Sequence, residues 1–304
     1  MKLKIATSQF SVSSDIVKNK SKILKQIKEA KEYGAQLIHF PEGSLSGYAG
    51  VDFESFTEFD WKELVDSTLE ILQEAKKSNI WVLLGSAHML ENHKPHNSLY
   101  IIDNSGSIVD RYDKMFCAGT EEENTDDLLH FSPGDHFSTF EIDGIKCGVL
   151  ICHEFRYPEL YREYKKMNVE IMFHSYHAGN MNPTRKADME AAVGKENFEF
   201  NFGKTIPEIT MPSTMISYAA NNYLWISCSN TSAKESCWAS MTVRPDGIVV
   251  GKLDKNKDGI LITEIDTDKK YYDATKFWRN RAMNGIYHSG NLVEDSRSKN
   301  KNEI

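Results

Sequence analysis

Apolar residues recur every second position in some segments of this chain and every third or fourth in others, and the two kinds of segment take turns for most of its length. That alternation admits few folds. Period 2 marks a strand and period 3.6 a helix with one buried stripe, and interleaved they make an α/β sheet covered by helices. Lys2 to Phe10 reads as a strand, and Ile16, Ile23, Ile27 and Ala30 then share one helical face that stops near Tyr33-Gly34. Gln36 to Phe40 is a second strand, Trp61 to Ser78 a helix with Leu64, Val65, Leu69, Leu72 and Ala75 on its apolar side, and Ile80 to Ala87 a third strand.

Beyond that point the rhythm becomes mostly strand. Ser98 to Asp103 and Ser107 to Tyr112 flank Asn104-Ser105-Gly106, and Phe137 to Ile142 and Ile145 to Cys152 flank Asp143-Gly144, both hairpin signals. A helix from Tyr157, a strand from Val169 to His174, a helix, a strand from Tyr223 to Ser229 and a strand pair around Pro245-Asp246-Gly247 follow. The stretch 178–213 is the least regular, with Pro183, Pro207 and Pro212, and reads as a long insertion or lid. Residues 291–304 form a polar tail without periodicity, which leaves 1–290 as a single domain.

The longest apolar runs fall well short of the roughly 20 residues that cross a bilayer, so no membrane span is expected. The opening Met1-Lys2-Leu3-Lys4-Ile5-Ala6 lacks the pattern of a secretory signal, and the five cysteines form no Cys-x-x-Cys pair. Both point to a reducing, cytoplasmic setting with no metal site. The net charge of -8, with lysines and arginines scattered, gives no footprint for nucleic acid. A small molecule is the expected ligand.

Three strand ends carry chemistry. In "GVLICHEFRYPELYREY" (148–164) the strand runs into Cys152 and Pro158 opens a helix, so the thiol sits at a tight turn beside backbone N–H groups. Such a cysteine is either a nucleophile or one more small buried hydrophobe. Cys147, Cys228 and Cys237 read as core, while Cys117, three residues after Lys114, is left open by its position. His39, His153, His174 and His177 lie near strand ends, but none is placed as the base by spacing. "FPEGSLSGY" (40–48) sets Glu42 just past a buried strand, where a desolvated carboxylate can take a proton. "VDRYDKMFCAGTEEE" (109–123) ends a strand at Lys114, either a solvated charge or a cation for an oxyanion. In open sheets ligands bind beyond the carboxyl ends of strands, so the three can converge.

Taken in this order, the three motifs resemble those of the nitrilase superfamily of carbon-nitrogen hydrolases, with its Glu-Lys-Cys triad. "ISYAANNYLWISCSN" (216–230) and "SMTVRPDGIVVGKL" (240–253) are similar to further segments of that family. The resemblance implies a four-layer αββα sandwich, no cofactor, and pairing into a homodimer through helices near the cysteine turn. It implies that Glu42 is the general base, that Cys152 forms a thioester, and that Lys114 and the backbone N–H of His153 hold the oxyanion. "CHEFRYPELYR" is of the amidase and carbamoylase kind rather than the Trp-Glu kind of true nitrilases, which implies a small linear amide or N-carbamoyl substrate, with a nitrile or a silent binding module as the alternatives. Many members carry a second glutamate between the lysine and the cysteine. Counting back from Gly134 gives Asp127, counting forward from Lys114 gives Glu122, and a solvated loop of Glu121, Glu122, Glu123, Asp126 and Asp127 is the bland alternative. "MFHSYHAG" (172–179) borders the site, so His174, Tyr176 and His177 are expected substrate contacts, with Tyr48 from the glutamate motif.

Overall fold

The computed structural model describes residues 1–122 and 124–302. The first strand, β1 (Lys2–Gln9), turns alternate side chains to opposite sides: Leu3 and Ile5 face a second sheet, while Ala6 packs under a helix. That helix, α1 (Ile16–Glu32), is capped by Asp15, whose carboxylate accepts from Lys18 N, and it buries Ile16, Ile23, Ile27 and Ala30. After β2 (Leu37–His39), α2 (Trp61–Ser78) starts on the same device at Asp60. It buries Leu64, Ile71 and Ala75, but Val65 and Leu69, expected on its apolar side, are half exposed. The buried stripe is narrower than the composition suggests, and α1 is the neighbouring helix it meets.

The strands β3 (Trp81–His88), β4 (His96–Ile102) and β5 (Ile108–Asp113) extend the first sheet. A short helix, α3 (Asp126–His130), precedes the second sheet. That sheet begins with β6 (Thr139–Ile142) and β7 (Ile145–Ile151), joined by Asp143-Gly144 with φ of 50° and 80° at the two turn residues. This is the mirror-image turn that the Asp-Gly pair demands. Then come α4 (Pro158–Lys166), β8 (Ile171–Ser175), α5 (Pro183–Val193), α6 (Ile206–Asn222), β9 (Trp225–Ser229), β10 (Met241–Val243), β11 (Val249–Lys252) and β12 (Gly259–Asp266).

The first sheet has the order β12-β1-β2-β3-β4-β5 and the second β11-β10-β9-β8-β7-β6. Helices α1 and α2 cover the outer face of the first, α4 and α6 that of the second, and the result is a four-layer αββα sandwich. The strand β12, unforeseen in the sequence, returns to pair with β1 along its whole length, from Lys2 opposite Asp266 to Gln9 opposite Gly259. The 178–213 stretch is also more regular than expected. Pro183 and Pro207 stand in the first turns of α5 and α6, where a missing N–H costs nothing, and Pro212 lies inside α6.

The topology brings the strand ends together. β1, β2 and β3 are parallel, β4 is antiparallel and β5 returns to the first direction, so β2 and β5 end on one edge where β4 begins. In the other sheet β7, β8 and β9 are parallel. No helix among the described residues is long and apolar enough to cross a membrane.

Candidate active site

Glu42, Lys114 and Asp127 meet at that edge. The Lys114 ammonium donates to Glu42 Oε1 at 3.0 Å and to Asp127 Oδ2 at 2.7 Å, with all three side chains almost wholly buried. Burial alone would pull this amine down, yet the Asp127 and Glu42 carboxylates outweigh it and hold Lys114 well above the usual lysine range. By the same pairing Asp127, which burial would raise, lies below the usual carboxylate range.

Asn97, at the start of β4, ties the two motifs together, and sequence reasoning missed it. Its carbonyl accepts from Lys114 N at 2.9 Å, while its amide donates to Glu42 Oε1 at 2.7 Å. The signal was the register of the β4–β5 hairpin: Ser98 pairs with Asp113, so Asn97 falls opposite Lys114. The other carboxylate oxygen, Glu42 Oε2, is buried without a hydrogen-bond partner among the described residues.

Cys152 follows β7 directly and has φ of 41°, a left-handed backbone that a non-glycine residue adopts only when its surroundings enforce it. It opens a short 3-10 turn, Cys152–Arg156, so the N–H of His153 belongs to the unpaired first turn. Burial, with the Glu42 charge added, pushes the Cys152 thiol well above its ordinary range. Cys117 is half-buried with its thiol against the Lys114 carbonyl at 3.7 Å, and burial pushes it up to about 12. Cys147, Cys228 and Cys237 are core.

Glu154, two residues past the cysteine, was also not singled out in the sequence. It is wholly buried and accepts four hydrogen bonds: from Tyr112 OH at 2.7 Å, Met115 N at 2.8 Å and Phe116 N at 3.2 Å on one oxygen, and from Ile151 N at 2.7 Å on the other. It thereby pins the loop after Lys114, from the first sheet, to the turn of Cys152, from the second.

The remaining expected contacts divide. Tyr48 reaches the cluster: its hydroxyl donates to Asp127 Oδ1 at 2.5 Å and lies 3.5 Å from Lys114 Nζ. His177 stacks on the Tyr48 ring with centroids 5.0 Å apart, and its backbone N–H faces the Cys152 sulfur. His174 and Tyr176, expected at the substrate, are instead wholly buried. His174 lies between Tyr161 OH at 2.6 Å and the Cys152 carbonyl at 3.2 Å, and the Tyr176 hydroxyl meets Met215 Sδ at 3.0 Å. His174 is buried because both faces of β8 are, and Tyr176 follows directly after that strand. The His153 ring is half-buried and turns to Tyr157 OH at 3.3 Å. Glu122 is exposed and away from Lys114, whose second carboxylate is Asp127, while Glu123 lies outside the described residues. His39, read as core, is buried between Ser175 and Ser227. Among the described residues no three His, Cys, Asp or Glu side chains gather to hold a metal ion.

Residues 4–271 match the family model described as carbon-nitrogen hydrolase. Among curated relatives, Nitrilase homolog 2 of Dictyostelium discoideum is 30% identical over 56% of this chain and 53% of its own length. Omega-amidase NIT2 of Xenopus tropicalis is 29% identical over 56% of this chain and 62% of its own. The chain thus spans between half and two thirds of these relatives. An amidase crystal structure from Nesterenkonia sp. superposes with a TM-score of 0.71 at 17% identity, covering 93% of this chain and 95% of that one, which supports the sandwich fold. The five motifs, the two stacked sheets and a family match over nearly the whole length lead to one assignment: this chain belongs to the carbon-nitrogen hydrolase family.

Proposed function

We propose that this protein hydrolyses the carbon–nitrogen bond of a small linear amide through a thioester on Cys152. The observation that carries the reading is the buried Lys114, held between Glu42 and Asp127, with Glu42 Oε2 left without a partner among the described residues, beside a thiol that burial, with the Glu42 charge added, keeps protonated. A thiol that does not ionise by itself needs a base as it attacks. Glu42 takes the proton, sulfur adds to the carbonyl carbon, and the oxyanion is met by Lys114 and the His153 N–H. The C–N bond then breaks as the proton passes from Glu42 to the departing ammonia or amine. Water, deprotonated by Glu42, releases the acid and regenerates the thiol. Asp127 and Asn97 hold Lys114 and Glu42 in place.

The amide preference rests on the "CHEFRYPEL" segment and on relatives named omega-amidase, and an N-carbamoyl group fits the same chemistry. The 178–213 helices are part of the proposal as a cover over the site, and so are a homodimer built on the outer helices and a cytoplasmic setting. The test is ammonia release from short amides, N-carbamoyl amino acids and nitriles. Cys152→Ala should lower kcat/KM by at least about 10³-fold, as loss of a covalent nucleophile does, and denaturing mass spectrometry of the wild type should find an acyl adduct on Cys152. Full activity in the alanine variant would sink the mechanism.

A further inference from the structure

The imidazole of His177 is more tightly specified than an ordinary packing residue. Its Nε2 donates to Asp52 Oδ2 at 2.9 Å, with both side chains only 1% exposed. Asp52 is itself fixed, accepting from Tyr48 N at 2.9 Å on the same oxygen and from Asn180 Nδ2 at 2.6 Å on the other. The proton on Nε2 is therefore assigned, and the other nitrogen carries the chemical choice. That nitrogen, Nδ1, is buried with no hydrogen-bond partner among the described residues. Buried polar atoms are nearly always paired, and an exception in a site calls for a ligand. The ring stacks on Tyr48, whose hydroxyl touches Asp127 and Lys114, and the same residue's N–H faces the Cys152 sulfur.

We propose that His177, oriented by Asp52, is the specificity-determining residue of this site, and that its Nδ1–H donates to a carboxylate or carbonyl oxygen on the substrate's acyl chain, beyond the amide that is cleaved. This rests on the amide-hydrolase reading above and narrows it to amides that carry a second acceptor group. The charged form that supplies the Nδ1 proton is favoured: burial opposes it, but Asp52 and then Glu42 raise His177 above the ordinary histidine range. The groups facing the ring are Asp52, Tyr48 and Glu42 from the glutamate loop, while Cys152 from the other sheet meets the backbone N–H of the same residue, and Lys114 and Asp127 are one contact away through Tyr48. Neutral His177 would keep its proton on Nε2 and turn Nδ1 into an acceptor, repelling the same substrate oxygen. Binding of such substrates should weaken as pH rises through the His177 titration.

The test compares the full-length enzyme on matched pairs, succinamate against butyramide and glutaramate against valeramide, as the ratio of kcat/KM values. His177→Phe keeps the stack on Tyr48 and removes Nδ1, and the ratio should fall tenfold or more, the worth of a hydrogen bond to a charged group. Asp52→Asn keeps a hydrogen bond to Nε2 but removes the charge. It should shift the pH at which KM for succinamate rises to a lower value, while wild-type KM for butyramide stays flat. If His177→Phe does not fold, the Asp52→Asn pH profile and the wild-type comparison decide alone. Ratios within twofold of wild type and a KM profile that does not move would overturn the proposal while leaving amide hydrolysis intact. Absence of hydrolysis of any amide by the wild type would overturn both.

Discussion

Glu154 marks the limit of what single residues disclose. It stands in the quoted cysteine motif, yet an acid in a first helical turn is ordinarily solvated, and nothing local reveals that four donors converge on it. Glu42, Lys114 and Cys152 were legible because each ends a strand within a recognisable motif, and Asp127 because its distance from Gly134 is set by the local frame. Asn97, Asp52 and Glu154 were not, since the partners that join them to the site lie 17 to 128 residues away. Burial raises Glu154 to about 7, against an ordinary value of 4.5. The folded state thus binds a proton that the unfolded state has released between pH 4.5 and 7, so the protonated acid stabilises the fold below pH 4.5 and that contribution is lost as pH rises through 7. Its size is on the order of 3 kcal/mol. Urea unfolding of wild type and Glu154→Gln at pH 4.5, 6 and 7.5 should give a difference that changes by that order across the series. The amide variant should also lose activity, because its NH2 group faces backbone N–H donors. Parallel stability curves would rule out the shift.

At the scale of elements, β3 decides where the glutamate loop can lie. Gly85 is packed so closely beneath it that a Cβ would stand 2.2 Å from the Pro41 carbonyl oxygen and 2.8 Å from Gly43 N. The Gly85 carbonyl in turn accepts from Leu45 N at 2.9 Å and Ser44 Oγ at 3.0 Å. Strand and loop are locked back to back, and Glu42 is aimed by that contact. Gly85→Ala should push the loop outward at a cost of about 1–3 kcal/mol for overpacking, and lower kcat/KM about 10²-fold through a displacement of the order of 1 Å. A thermal melt together with kcat and KM measurements checks both, and unchanged kcat would show that the loop does not depend on the close approach. The elements that escaped the sequence reading have plain physical reasons. For the first half of α6, inside the stretch read as an insertion, Pro207 and Pro212 look like breakers, yet Thr205 and Glu208 form a capping box that could have been read from Thr-Ile-Pro-Glu. For β12, the partner is β1, more than 240 residues back, and its four apolar residues, Ile260, Leu261, Ile262 and Ile265, divide two and two between the faces, so no alternating pattern stands out.

Over the whole molecule, the content of helix and strand was legible but the stacking of the two sheets was not, because it is decided by contacts between residues far apart in sequence. The seam between the sheets holds a polar core close in sequence to the candidate site. His39 of β2 reaches across to Ser227 Oγ at 2.9 Å and Ser175 Oγ at 2.8 Å, and Thr7 Oγ1 meets Ser227 Oγ at 2.7 Å. Glu42 lies three residues beyond His39 and His177 two beyond Ser175, so this seam fixes the separation of the two halves of the site. A buried imidazole here must stay neutral, and burial holds His39 down at about 3. The unfolded chain takes up a proton below its ordinary 6.5 that the folded one refuses, so the stability tied to neutral His39 is complete above pH 6.5 and is lost as pH falls towards 3. His39→Leu removes both the hydrogen bonds and this liability. At pH 7.5 it should cost about 1–3 kcal/mol, since two buried hydroxyls each lose a partner. At pH 4 the gap should close or reverse, because wild type alone then carries a penalty of up to roughly 1.4 kcal/mol for each pH unit below its unfolded value. His174, also held well below the ordinary range by burial, keeps a residual acid slope in both proteins. Urea midpoints at the two pH values decide the matter: a His39→Leu deficit that is equally large at pH 4 would mean that the imidazole takes up its proton in the folded state and that the seam is wetter than its geometry indicates.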